Sequence, residues 1–187
     1  MSVAEWVKLI MSVVTGLAAL TGAVVAVLGL STWRRQLRGG AEYELARRVL
    51  RAVLALRNEI RNLRCLYAPI GFSGSADAIP RQLESLNRAA IELDAELVEA
   101  EVMWNSLLSG PKQSLKNCVD DLWVKTRSHR QVSERLRAQH ASDSLRDKLG
   151  EIEAFLAPGE PDNDVLGRDV QAAVDAFAAG LRPFLRR

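Results

Sequence analysis

Residues 9–30 read LIMSVVTGLAALTGAVVAVLGL, a run of 22 residues without a charged side chain. A helix of about 20 apolar residues is long enough to cross the hydrocarbon core of a bilayer. A cleaved signal peptide has a shorter apolar region, of about 7 to 15 residues, and ends in a small-residue cleavage site. Because this run ends in arginines instead, it predicts a transmembrane helix over residues 9–30, in preference to a signal peptide or a buried core helix.

The residues on either side of the run indicate an orientation. Indole side chains are enriched at membrane interfaces, and loops rich in arginine stay on the cytoplasmic side. The first eight residues contain one acidic and one basic side chain, whereas arginines follow the run. We therefore expect a bacterial inner-membrane protein with its N-terminus outside and its C-terminal domain in the cytoplasm. Contacts with lipid headgroups are predicted at Trp6, Trp33, Arg34, Arg35 and Arg38.

Small side chains recur along the run at alternating spacings of three and four. Such a face lets two helix backbones approach closely, and close packing drives the association of helices in lipid. The pattern predicts a homo-oligomer, although small residues are common in membrane helices in any case. The predicted interface consists of Ser12, Thr15, Ala19, Gly22, Ala26 and Gly29.

The rest of the chain has the composition of a helical bundle. Apolar residues make up 48% of the sequence and aromatic residues only 5%, which favours helices over sheets and disfavours disorder. We expect four regions: a short extracytoplasmic N-terminus (1–8), the transmembrane helix (9–30), a basic juxtamembrane hinge (31–40) and a cytoplasmic bundle (41–187). Gly39 and Gly40 place the hinge, because glycine has a low helix propensity.

Periodicity and turn signals divide the bundle into about four to five helices in an all-α, up-and-down arrangement. Apolar residues step by three and four through residues 41–66, 81–108, about 111–139, 145–156 and 166–184, and no strand pattern competes. Asp162, Asn163 or Asp164 can cap the last helix. Residues 68–80 form a loop of unassigned role.

The second helix has the clearest heptad seam, which is expected to pack on the first helix as an antiparallel hairpin. The seam consists of Leu83, Leu86, Ala90, Leu93, Leu97, Ala100, Trp104 and Leu107.

The net charge alternates in sign from one segment to the next. It is +6 for residues 31–66, −5 for 82–107, +4 for 111–140 and −3 for 141–187. Opposite charges favour packing between neighbouring helices, although each exposed pair contributes less than about 1 kcal/mol. Ordinary scatter of surface charge is the alternative explanation.

No segment carries a motif for chemistry. Cys65, Cys118, His129 and His140 are too widely separated for one metal ion. The GFSGS sequence at residues 71–75 resembles a nucleophile elbow only superficially, since that motif needs a preceding strand. We therefore predict no catalytic, cofactor or metal site, and a protein that is not an enzyme.

Two clusters of charge have plain explanations. The carboxylates between Glu92 and Glu101 wind around the exposed part of a heptad helix, where a solvated face is expected. The basic residues between Lys125 and Arg137 lack interleaved aromatic residues and a compact binding motif. The sequence therefore predicts no nucleic-acid partner.

The stretch TWRRQLRGGAEYELARRVLRA, Thr32 to Ala52, resembles a juxtamembrane segment of uncharacterised bacterial single-pass membrane proteins, with the form W-[RK]-R-Q-L-x-G-x-x-EYELARR. The resemblance departs at Gly40, where a charged residue is expected. It implies a bacterial inner-membrane protein and brings no activity or site with it.

These observations predict a membrane-anchored interaction or scaffold module at the cytoplasmic face, homo-oligomeric and bound to lipid and to an unknown protein partner. One alternative is a signalling or effector subunit of a membrane complex, in which the joint at Gly39 and Gly40 transmits a change. Another, from a different class, is a hydrolase that uses Ser73.

Overall fold

The computed structural model describes residues 3–68, 78–138, 143–159 and 163–186, and only some of the side chains before residue 39. These ranges hold five α-helices and one short 3-10 helix, and no strand occurs in them. The all-α class and a bundle of about five helices are therefore confirmed. The anchor helix (9–30) and the first bundle helix (41–66), predicted as separate, belong to one continuous helix. The helices are α1 (Val3–Cys65), α2 (Ala78–Trp104), α3 (Ser109–Ala138), α4 (Asp143–Leu156) and α5 (Val165–Leu185), with the 3-10 helix at Asn105–Leu108.

The prediction of a membrane anchor is wrong. None of the helices in the described ranges has a stretch that is both long enough and apolar enough to cross a membrane. The prediction for residues 9–30 was made from the length and apolar character of the uncharged run alone. The inner-membrane location, the outside N-terminus and the cytoplasmic placement of the C-terminal domain depended on that helix and are withdrawn with it.

The chain divides into two compact units, residues 1–43 and 44–187. The first unit is the N-terminal part of α1, and its described large apolar side chains at Met11, Leu20, Val24 and Leu28 are all exposed. Gly39 and Gly40 lie inside α1 and have helical backbone. A hinge at this pair concerns motion between the two units and stays a prediction.

In the second unit, α1 and α2 run antiparallel. Arg48 of α1 forms ion pairs with Glu96 and Glu99 near the C-terminal end of α2. Glu59, eleven residues further along α1, accepts a hydrogen bond from Gln82 near the start of α2. Contacts that advance along one helix while they retreat along the other define an antiparallel pair.

A break in helical geometry separates α2 from α3. Asn105 has a φ of 53°, and the following residues form the 3-10 helix before α3 begins. Left-handed backbone is tolerated best by glycine and next best by asparagine and aspartate. The second helix was predicted to reach Leu108, and it ends at Trp104 because Asn105 turns the chain. The Lys112 Nζ at the start of α3 then lies 3.4 Å from the Asp94 Oδ1 of α2.

The last two helices, α4 and α5, both pack against α3. The His129 Nε2 of α3 lies 3.0 Å from a Glu153 oxygen of α4, and Lys125 lies 5.1 Å from the ring centroid of Phe155. α5 continues beside the N-terminal half of α3. The rings of Trp104 at the end of α2 and Phe184 near the end of α5 stack with their centroids 4.5 Å apart.

A single apolar core joins all five helices of the second unit. Its members recur every three or four residues along each helix, which gives one buried face per helix. The side chains with the largest volumes among the fully buried ones are Phe177, Leu45, Leu63, Leu86, Leu115, Leu122, Leu156 and Leu181.

The buried guanidinium of Arg64 connects α1 to the junction of α4 and α5. It donates to the backbone oxygens of Leu156 and Ala157 at 3.2 and 2.8 Å, and to both carboxylate oxygens of Asp164 at 2.9 and 2.6 Å. Asp164 in turn accepts from the backbone N–H of Gly167 at 2.8 Å and caps α5. A Cβ at residue 167 would overlap this carboxylate, so the cap requires glycine there.

Candidate functional site

A second apolar row runs along α2 on the side that faces solvent. Ile91, Val98 and Val102 are 61%, 60% and 82% exposed, and Ala95 between them is also exposed. Their spacings of four, three and four residues place them on one helical face. We call these four residues the outer row; it extends over about 16 Å.

Carboxylates flank the outer row on both sides. Glu92 and Glu99 are each one residue beyond a row member, and Asp94 and Glu101 are each one residue before the next. Residues seven apart share a side of a helix. The Glu99 Oε2 lies 2.5 Å from the Arg48 Nη2 of α1, so the flank with Glu92 and Glu99 borders α1. Asp94 pairs with Lys112 of α3, so the flank with Asp94 and Glu101 borders α3.

Half of these flanking carboxylates carry uncompensated charge. Glu99 and Asp94 have the basic partners just described, whereas Glu92 and Glu101 form no ion pair with any side chain in the described ranges. The two lie on opposite flanks and toward opposite ends of the outer row. The row therefore has a negative charge on each side.

The predicted hairpin seam lies on the opposite, inward side of α2. Four of its residues are buried (Leu86, Leu93, Leu97 and Ala100), and three are partly buried (Leu83, Ala90 and Trp104). Leu107 is 50% exposed, because it belongs to the 3-10 helix after the turn at Asn105. The outer row was missed by sequence reasoning, although it shows the same periodicity as the seam.

A groove of about 660 Å³ lies between α3 and α5. Its lining includes Cys118, Asp121 of α3 and Asp169 of α5. Burial raises the pKa of the Cys118 thiol, and the charges of these two carboxylates raise it further. A thiol with a raised pKa is a poor nucleophile at neutral pH, so the groove does not supply an activated cysteine.

Polar side chains cluster where α1, α3 and α4 meet. Tyr67 packs edge-on against His129 with ring centroids 5.0 Å apart. Burial raises the pKa of Tyr67; the neighbouring Thr126 hydroxyl lowers it and the charge of Glu153 raises it. The hydroxyl oxygens of Tyr67 and Thr126 are shielded from solvent and have no hydrogen-bond partner of ordinary geometry within the described parts of the chain. Shielded oxygens do not form an accessible site.

The other residues named from the sequence are only partly described. Of the small-residue face, Thr15, Gly22 and Ala26 are exposed, while the exposure of Ser12, Ala19 and Gly29 is outside the description. Trp33 is 57% exposed; the side chains of Trp6, Arg34, Arg35 and Arg38 are outside the description. Association through the small-residue face stays a prediction.

The candidate chemical residues are only partly described. The GFSGS segment, with Ser73, and His140 lie outside the described residues. Cys65 is exposed and Cys118 is buried. Across the described ranges, no three side chains of the types that bind metals are close enough to hold one ion.

Comparison of the chain with protein-family models, curated proteins and solved structures finds no match.

Proposed function

We propose that this protein is a helical interaction module that docks a protein partner along the outer row of α2. The observation that carries the proposal is the row itself: three large apolar side chains, each at least 60% exposed, at helical spacing. Isolated apolar residues are normal on protein surfaces, whereas aligned ones mark interaction sites more often.

The mode of binding follows from the spacing. Helix recognition uses anchors at positions i, i+3 or i+4, and i+7, and Ile91, Ala95, Val98 and Val102 supply this pattern. Because the inward seam of α2 is already buried in the bundle, the helix can present the outer row without losing its own packing. Full burial of each valine or isoleucine contributes about 1.5–3 kcal/mol.

A photo-reactive amino acid at position 98 tests the proposal in cells that produce the protein. The matched control is the same amino acid at position 124, since Val124 of α3 is 62% exposed and Val98 is 60% exposed. We expect a discrete cross-linked product from position 98 and none from position 124.

Substitution of the neighbouring row residues makes the test specific. Ile91→Gln with Val102→Gln is expected to reduce the cross-linked product from position 98 at least about tenfold. The unfolding midpoint should stay unchanged, because both side chains are exposed. Equal products from positions 98 and 124, or no product from position 98, would contradict the proposal.

A further inference from the structure

The flanks of the outer row indicate what kind of helix it accepts, if the row is the docking site proposed above. In heptad notation Ile91 and Val98 take d positions, and Ala95 and Val102 take a positions. Glu92 and Glu99 then occupy e, while Asp94 and Glu101 occupy g. In paired helices the e and g residues face the partner across the apolar seam and determine which partner is accepted.

All four of these e and g positions are acidic. A second copy of α2 would place carboxylates against carboxylates in either direction of pairing, and like charges across a seam disfavour association. The row is therefore poorly suited to pair with itself.

The two parts of α1 in a second copy each match only half of the requirement. The outer face of α1 beyond residue 44 is basic, with Arg47, Arg51 and Arg61 exposed, yet no large exposed apolar residue is found there. The N-terminal part of α1 exposes apolar residues such as Leu20 and Val24, but residues 9–30 contain no basic side chain. Neither segment combines an apolar row with basic flanks.

We infer that the outer row binds a basic amphipathic helix of another protein. Such a helix has large apolar residues at positions i, i+4, i+7 and i+11 and lysine or arginine beside them. Its apolar side covers the outer row, and its basic flanks meet Glu92 on the α1 side and Glu101 on the α3 side. The inference rests on the proposed docking function and adds the chemistry of the partner.

The two flanking carboxylates already paired within the chain have a secondary role. Arg48 holds Glu99 and Lys112 holds Asp94, which offsets part of their attraction for a basic partner. Glu92 and Glu101 are thus the residues that select for positive charge, and changing them disturbs no ion pair of the bundle described above.

Synthetic helices test the inference with the full-length chain. One peptide of about 18 residues has leucines at the required spacing and lysines at its e and g positions; a matched peptide has glutamates in place of those lysines. Titration calorimetry is expected to show binding of the lysine peptide at least about tenfold tighter than the glutamate peptide. The affinity should fall as the salt concentration rises from about 50 to about 300 mM.

Variants of the chain assign the binding to the outer row. Glu92→Lys with Glu101→Lys should weaken binding of the lysine peptide about tenfold and strengthen binding of the glutamate peptide. The control variant Asp147→Lys with Glu151→Lys changes the net charge equally on α4, where both residues are exposed, and should alter the affinities much less. Val98→Gln should weaken binding of both peptides, whereas Val124→Gln should weaken neither.

The possible outcomes separate this inference from the proposed function. Equal affinity for the two peptides, or equal effects of the two charge-reversal pairs, would overturn the inference. The inference would also be overturned if sedimentation showed that the chain forms dimers and that Val98→Gln abolishes them. If position 98 still gives a cross-linked product in cells while the lysine peptide does not bind, the docking function stands and the basic helix is wrong.

Discussion

At the scale of single residues, the buried guanidinium of Arg64 makes four hydrogen bonds within the second unit. Its side chain is 8% exposed, and it joins the end of α1 to the end of α4 and the start of α5. Removing one partner of a buried ion pair costs about 3–5 kcal/mol, because the other charge is left uncompensated.

Arg64→Met is therefore expected to lower the free energy of unfolding by about 3–5 kcal/mol, measured by urea denaturation. Arg61→Met is the matched control: it removes the same charge from the same helix at an exposed position, and its cost should stay below about 0.5 kcal/mol. A similar, small cost for both variants would show that the Arg64 contacts contribute little.

Asp164 makes the stability of the fold depend on pH. Burial acts to raise the pKa of Asp164, but the hydrogen bonds from Arg64 and from the Gly167 N–H, together with the charge of Arg64, outweigh burial and lower it. The unfolded chain then binds the proton more readily than the folded chain near pH 4, so stability rises with pH in that range. The contribution is present above the unfolded pKa of about 3.9 and is lost as pH falls through the lower, folded pKa.

Asp164→Asn tests this linkage. The difference in unfolding free energy between the original chain and the variant should be largest near pH 6 and should shrink toward about pH 3, measured by urea titrations at each pH. A difference that does not vary over this range would contradict the pKa shift as its cause.

At the scale of elements, ion pairs link helices that follow one another in sequence. Arg48 of α1 pairs with Glu96 and Glu99 of α2, and Lys112 of α3 pairs with Asp94 of α2. The alternation of net charge along the sequence agrees with these contacts. Most of the participating side chains are partly exposed, so the pairs orient neighbours more than they stabilise the bundle.

The end of α2 depends on Asn105 and its left-handed backbone. Asn105→Val is expected to lower the free energy of unfolding by about 1–2 kcal/mol, because a β-branched side chain is strained at positive φ. Asn105→Gly should be neutral or slightly stabilising. Thermal unfolding of both variants provides the measurement, and equal destabilisation would mean that the Asn105 side chain itself, rather than its backbone, is required.

At the scale of the whole molecule, the buried apolar core found among the described residues lies in the second unit. Every buried member of the core falls between Leu45 and Leu181, and the chain divides near residue 43. A domain with its own core is expected to fold independently.

A chain that begins at residue 44 should accordingly keep its helical circular dichroism and a cooperative urea transition within about 1 kcal/mol of the full-length protein. Removal of α5, which includes the fully buried Phe177 and Leu181, should abolish the cooperative transition. Loss of cooperativity in the first truncation would show that residues 1–43 contribute to the core.

The sequence alone was sufficient for the approximate positions of the helices in the second unit and for their buried faces. Apolar spacing located the helices of the second unit, because a helix at a domain surface needs one apolar face and the 3.6-residue period records it. Proline, glycine and capping residues gave the approximate ends. The C-terminal end of α2 was missed by four residues, since the left-handed conformation of Asn105 depends on where the chain must turn. Its start was predicted at residue 81, after the loop 68–80, and lies at Ala78.

Tertiary structure decided what periodicity leaves open. α2 has two apolar rows with the same spacing, and only packing against α1 and α3 determines that the inward seam is buried and the outer row is exposed. The partnership of Arg64 with Asp164 joins residues one hundred positions apart, which no local pattern records. Burial and pairing depend on which surfaces meet in space, whereas periodicity describes one helix at a time.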